Sequence, residues 1–170
     1  MDFREALMSR KSVRSFQKSL ITKDKIEELL MYASFAPYPK IEKNWETKYF
    51  YGDNKNIVNK MLLQMLQEKK DIGNSTFNSI KNCIKAPVII FVFTKYFEQA
   101  GISMDKRLLN HSFIQATGAF IQNILLCATD MGLGSLWVND VLYFAAIIEK
   151  ELKAESKLVS AVILGYEKKH

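Results

Sequence analysis

The chain has 170 residues, 48% of them hydrophobic and 25% charged, which suits a single globular domain over 1–170 and excludes disordered and fibrous classes. Twenty-four basic against eighteen acidic residues leave a formal charge of +6, which favours anionic partners without choosing among them. Cys83 and Cys127 supply neither a disulfide framework nor metal-ligand spacing, and the charged start Asp2, Arg4, Glu5 holds no apolar signal core, so a cytoplasmic protein is expected.

Residues 3 to 9 have helical spacing and lead into the basic run Arg10-Lys11-Ser12-Val13-Arg14. Thr22 is a plausible N-cap, with Asp24 in the first turn of a helix whose apolar stripe is Ile26, Leu29, Leu30 and Ala33. Pro37 and Pro39 end it and open a loop to about Trp45. A short strand is expected over Thr47 to Tyr51, then a turn at Gly52-Asp53-Asn54. Ile57, Val58, Met61, Leu62, Met65 and Leu66 recur at helical spacing.

The polar stretch Ile72 to Lys85 reads as a mobile loop with a helical turn, close to substrate access. Val88 to Thr94 is β-branched and aromatic with apolar residues on both faces, as a central strand requires. Ser112 to Met131 is apolar nearly all round, yet Gln115, Thr117, Gln122, Asn123 and Thr129 favour a helix inside protein over a membrane span. Gly132 stops it as a C′ residue. Ser135 to Val138 is a short strand, Asp140 a possible N-cap for a helix to about Leu152, and Leu158 to Leu164 a last strand. With no repeat or linker, the fold class is α+β in one unit.

Three cations beside Ser12 can converge on one phosphate through charge-assisted hydrogen bonds, although a basic loop on a basic protein is the plainer reading of that segment alone. Met131 to Trp137 holds two glycines that let a backbone turn sharply and approach a flat ligand, but lacks the third glycine of a dinucleotide fingerprint. The plainer reading is a helix cap and a tight turn.

In order along the chain, Ser9 to Phe16, Ala36-Pro37 to Trp45, Gly118 to Asn123 and Gly132 to Trp137 resemble the four signature segments of the nitroreductase family. The resemblance implies a homodimeric fold in which helices surround a central, mostly antiparallel sheet and FMN binds between subunits. It further implies electron transfer from NADH or NADPH to a nitroaromatic, quinone or similar small acceptor. Carried over by position, Arg10 and Ser12 hold the phosphate and ribityl chain, and Lys11 and Arg14 share the phosphate or face the N1/O2 edge of the ring. Gly134, Ser135, Leu136 and Trp137 run beside the ring and offer a backbone N–H to N5. Pro39 and Lys40 stand in for altered partner-loop contacts, because Tyr38, Ile41, Lys43 and Asn44 replace the family's Ser, Asn, Gln and Pro.

The flavin then carries the chemistry and no catalytic side chain is expected; His111 and His170 are read as structural or surface residues, and neither as a metal ligand. Phe113, Phe120 and Trp137 are read as core aromatics, whereas Trp45 and Tyr38 are expected to line the pocket. Lys168 and Lys169 could reach the phosphate but are expected to be solvated. Helix 112–131 is the candidate subunit interface. A flavin-storing or flavin-sensing protein on the same scaffold remains the alternative. Nucleic acid is disfavoured, since Lys55 to Lys70 and Lys150 to Lys157 mix both signs of charge and no nucleic-acid-binding signature is present.

Overall fold

A computed structural model describes residues 2–39, 42–68, 71–98 and 101–168. Its centre is a four-stranded sheet of β1 (Trp45–Tyr51), β2 (Val88–Thr94), β3 (Gly134–Val138) and β4 (Lys157–Gly165) in the order β1-β2-β4-β3. Every named pair is antiparallel. β2 is buried along its whole length between β1 and β4, as its two-sided apolar sequence requires. Among the described residues six α-helices surround the sheet: α1 (Phe3–Ser9), α2 (Lys23–Ala33), α3 (Lys55–Glu68), α4 (Asn74–Lys85), α5 (Met104–Asp130) and α6 (Ala145–Glu151).

Alternation along the strands divides the core in two. Val88, Ile90, Val92, Val162 and Leu164 face α2 and α5, and with Leu29, Phe120 and Ile124 form one cluster. Ile89, Phe91, Phe93 and Ile163 face α3, α4 and α6, where Leu62, Ile80 and Ile148 complete the other.

Thr22 caps α2 by accepting from the Lys25 N–H, and Ile26, Leu29 and Ala33 are its buried stripe. Gly132 takes φ 71°, the left-handed geometry of a C′ residue. The strand expected at Thr47 begins earlier, at Trp45, and the apolar helix begins at Met104, where Ser103 caps it by accepting from Lys106.

Two expectations fail. The polar segment 72–85 is not a loop: α4 places Thr76, Ile80 and Cys83 at helical spacing against α3 and the sheet, so three inward residues outweigh an Asn/Ser-rich outer face. Asp140 caps no helix either. It opens a 3₁₀ turn over Asp140–Phe144 before α6, and its carboxylate accepts from Thr76 Oγ1 at 2.9 Å, tying α4 to the end of β3.

Candidate functional site

The Arg10–Arg14 segment leaves α1 through Arg10, whose N–H donates to Ala6 O at 3.0 Å, and then runs alongside β3. Ser12 and Ser135 form a parallel bridge, and the Val13 N–H donates to Ser135 O at 2.9 Å. Val13 is buried, so Lys11, Ser12 and Arg14 are turned outward and Arg10 is half-buried. The sheet edge therefore holds a row of cations whose backbone cannot slide.

Arg14 Nη1 donates to Ser12 O at 3.3 Å, and Lys11 Nζ pairs with the Glu167 carboxylate at 2.8 Å. Residues 166–168 are laid beside 15–17: the Gln17 N–H donates to Tyr166 O at 2.8 Å and the Lys168 N–H to Ser15 O at 3.0 Å. Lys168 is exposed, as expected; Lys169 and His170 lie outside the described residues.

Within β3 the four expected contact residues divide. Ser135 is 2% exposed and Leu136 is 7% exposed, so their side chains belong to the interior. Ser135 Oγ is buried with no hydrogen-bond partner among the described residues. Trp137 is 37% exposed and is not a core aromatic. Because the Ser135 carbonyl points outward to Val13, strand alternation points the Trp137 main chain outward as well, past the end of the bridged segment. Strand alternation thus turns the Trp137 N–H toward the edge of β3 on which Ser12 and Val13 meet Ser135.

The two glycines play different parts. Gly132 makes the turn, but a Cβ on Gly134 would lie 2.9 Å from the Val13 side chain, so this glycine admits the basic segment to the sheet. The Gln122-Asn123 segment serves the frame, with Asn123 Nδ2 donating to Ala33 O at 3.3 Å.

Pro39 does not join this cluster within the chain. Pro37, Tyr38 and Pro39 border a shallow cavity of about 340 Å³ with Ser112, Gln115, Ala116 and Ala119 of α5. The basic segment sits at the other end of that helix, beyond the Gly132 turn, about 20 Å away at 1.5 Å per residue. Lys40 and Ile41 lie outside the described residues. Trp45 is 8% exposed and stacks on Phe120 with centroids 4.9 Å apart, so it belongs to the core, and the same two rings also border a cavity of about 310 Å³ with Lys43 and Glu27. Tyr38 is 50% exposed and meets Trp45 edge-on. Phe113 and Phe120 are buried as expected.

Asn44 is a further structural residue: its amide donates to Thr94 Oγ1 at 3.0 Å and to Phe113 O and Thr117 Oγ1 at 2.9 Å, anchoring the loop. Sequence reading also missed Glu167 and Lys55. Lys55 is 4% exposed and donates to Asn59 Oδ1 at 2.7 Å and to the Cys83 and Ile84 carbonyls at 2.9 Å. A signal existed for it, since Lys55 lies in register with Val58, Leu62 and Met65. Burial lowers its ammonium from the ordinary 10.5 to about 8.

Both cysteines are free, and burial pushes the Cys83 thiol up to about 12, which makes it inert. His111 is exposed on α5. Among the described residues no group of three or more His, Cys, Asp or Glu could hold a metal, and no helix is long and apolar enough to cross a membrane.

Comparison with known proteins identifies the family and matches the fold. YfhC of Bacillus subtilis (strain 168), whose name assigns it provisionally to the NAD(P)H nitroreductases, is 22% identical over 168 residues, covering 96% of this chain and 83% of its own. A BluB-like flavoprotein from Clostridium difficile 630 superposes with a TM-score of 0.75 at 26% identity, covering 100% of this chain and 92% of its own. The FMN-dependent nitroreductase NfnB from Mycobacterium smegmatis, solved with NADPH, superposes with a TM-score of 0.75 at 16% identity, covering 97% and 87%. The nitroreductase family model matches residues 7–166, from the end of α1 to the last strand, and on that match the chain belongs to the nitroreductase family.

Proposed function

We propose that this protein is an FMN-dependent oxidoreductase that passes hydride from NADH or NADPH to a small acceptor, such as a nitroaromatic or a quinone, and works as a homodimer. The observation that carries the reading is the Ser12–Ser135 bridge, which sets Arg10, Lys11, Ser12 and Arg14 beside an open strand edge ending in exposed Trp137. Cations and a hydroxyl suit a phosphate and a ribityl chain, and a free backbone N–H with a half-exposed indole suits a flat heterocycle. The family membership and the flavin-dependent relatives support the same assignment.

In this reading Arg10 and Ser12 hold the phosphate and ribityl chain. Lys11 and Arg14 share the phosphate or stabilise negative charge at the N1/O2 edge of the ring. The Trp137 N–H orients the ring from the strand, and the indole shields one side of it from water. Bound FMN supplies the two-electron chemistry by accepting hydride from the nicotinamide and releasing it to the acceptor. The protein needs no catalytic acid or base of its own.

The distribution of the expected contacts supports a second subunit. Pro39 and Tyr38 rest on the far part of α5 from the basic segment, so a second copy brings such a loop to the site. Phe3, Met8, Met31, Tyr32, Phe35 and Leu108 are exposed apolar residues on α1, α2, α5 and their flanks, and a second copy of the same face covers them.

The test is the visible spectrum of the purified protein loaded with FMN, followed by anaerobic bleaching with NADH or NADPH and reoxidation by a quinone. A protein that cannot be loaded with FMN defeats the reading. One that binds flavin yet is reduced by neither nicotinamide is a flavin-storing or flavin-sensing protein instead.

A further inference from the structure

A carboxylate pairs with one cation of the basic segment. Glu167 Oε1 lies 2.8 Å from Lys11 Nζ. Its backbone is held on both sides, since Gln17 N–H donates to Tyr166 O, Lys168 N–H donates to Ser15 O, and Gln17 Nε2 donates to Glu167 O at 2.9 Å. Phe16 and Glu167 form an antiparallel bridge. A Cβ on Gly165 would lie 2.6 Å from the Phe16 ring, so the segment entering the bridge is packed against its partner. Lys11 is likewise followed directly by the residues bonded to β3. The ion pair therefore joins two restrained backbones rather than a frayed end to a loop.

A phosphate monoester carries about −1.5 to −2 charges near neutral pH. To use Lys11 it must displace the Glu167 carboxylate or share the lysine with it, and either way it meets a like charge beside the clamp. With Lys11 serving the phosphate rather than the ring edge, an unphosphorylated flavin meets no such opposition. We propose, resting on the flavin reading above, that Glu167 is a specificity residue that weakens the site for phosphate-bearing flavin relative to riboflavin and keeps FMN exchangeable. Glu167 touches Lys11 and acts on the ligand through that charge, so it sets affinity and leaves hydride transfer to the flavin.

The probe is the Glu167→Gln variant of the full chain, titrated with FMN and separately with riboflavin at low and at high salt. The side-chain shape is kept and only the charge is lost. We expect the FMN Kd to fall roughly two- to fivefold at low salt, the gain to shrink at high salt, and the riboflavin Kd to stay as it was. An unchanged or weaker FMN affinity, or an equal change for riboflavin, overturns the proposal, because a merely structural residue shifts both flavins alike. In the Lys11→Gln background the same substitution gains less; an equal gain there also overturns it. Wild-type protein that binds neither flavin defeats the flavin reading and this proposal together, whereas wild-type binding with an indifferent Glu167→Gln defeats this proposal alone.

Discussion

At its C-terminal end α5 passes through Gly132 into β3, and there the chain finishes half of the proposed site by itself: Val13 is hydrogen-bonded to Ser135 and Lys11 is paired with Glu167. Toward its N-terminal end the loop bearing Tyr38 and Pro39 lies on Ser112 to Ala119, anchored from behind by Asn44 but open in front. One half is organised by backbone bonds within the chain. The other presents Tyr38 and Phe35 to the outside, at 50% and 78% exposure, and borders a shallow cavity on α5. The contrast teaches that the two parts of the proposed site are finished to different degrees within one chain.

That contrast breaks most sharply if assembly is removed. Phe35→Asp combined with Leu108→Glu, both at exposed positions, should give a monomer by light scattering that keeps its helical circular dichroism and retains no flavin. A monomer that still binds FMN tightly would mean one half suffices. Next in size, Arg10→Ala removes a charged hydrogen-bonding group from the finished half and should weaken FMN about tenfold to a hundredfold by fluorescence titration. The fold should hold, because the structural bond of Arg10 runs through its main-chain N–H.

Gly134→Ala tests whether the finished half is set by packing. The new methyl meets Val13 at 2.9 Å, so unfolding in urea should show a loss of about 1–3 kcal/mol, with weaker FMN binding as the basic segment moves. Native stability with intact binding would show that the segment has room to spare.

The smallest effect is a control remote from both halves. Unfolded lysine keeps its proton to about 10.5 whereas buried Lys55 releases it near 8, so the unfolded state binds more protons in that window and stability rises with pH. Tyr49, pushed up from 10.0 to about 12 by burial and by its hydrogen bond to Glu27, acts in the opposite sense above 10, where its contribution is lost as pH rises. Cys83, pushed by burial from 9.0 to about 12, acts in that same opposite sense from about pH 9 upward. The urea midpoint should therefore climb between about pH 8 and pH 9, and this rise should flatten in Lys55→Met while the flavin affinity of the refolded protein is unchanged.

Much of the frame was legible because its signals are local. The Thr22 cap, the Gly132 stop, the two-sided apolar run of β2 and the stripe of α3 each follow from residues within one or two turns. The site was legible as residue types in order, which placed the Arg10–Arg14 cluster and the glycine turn before any geometry was known. The role of each residue was not. Leu136 turned inward with the sheet alternation, Trp137 outward, and Gly134 leaves room for the Val13 side chain.

What the sequence alone determined, then, is the set of elements with strong local periodicity and the chemical inventory of the basic segment proposed to hold phosphate. Only the tertiary structure decided that 74–85 is a helix, that Trp45 is core, that Asp140 answers Thr76, and that Glu167 sits on Lys11. Each of these depends on a partner far along the chain, 64 residues away for Asp140 and 156 for Glu167, taking 167 minus 11. Local propensity carries no term for such a neighbour, and burial against it outweighs propensities worth a few tenths of a kcal/mol per residue.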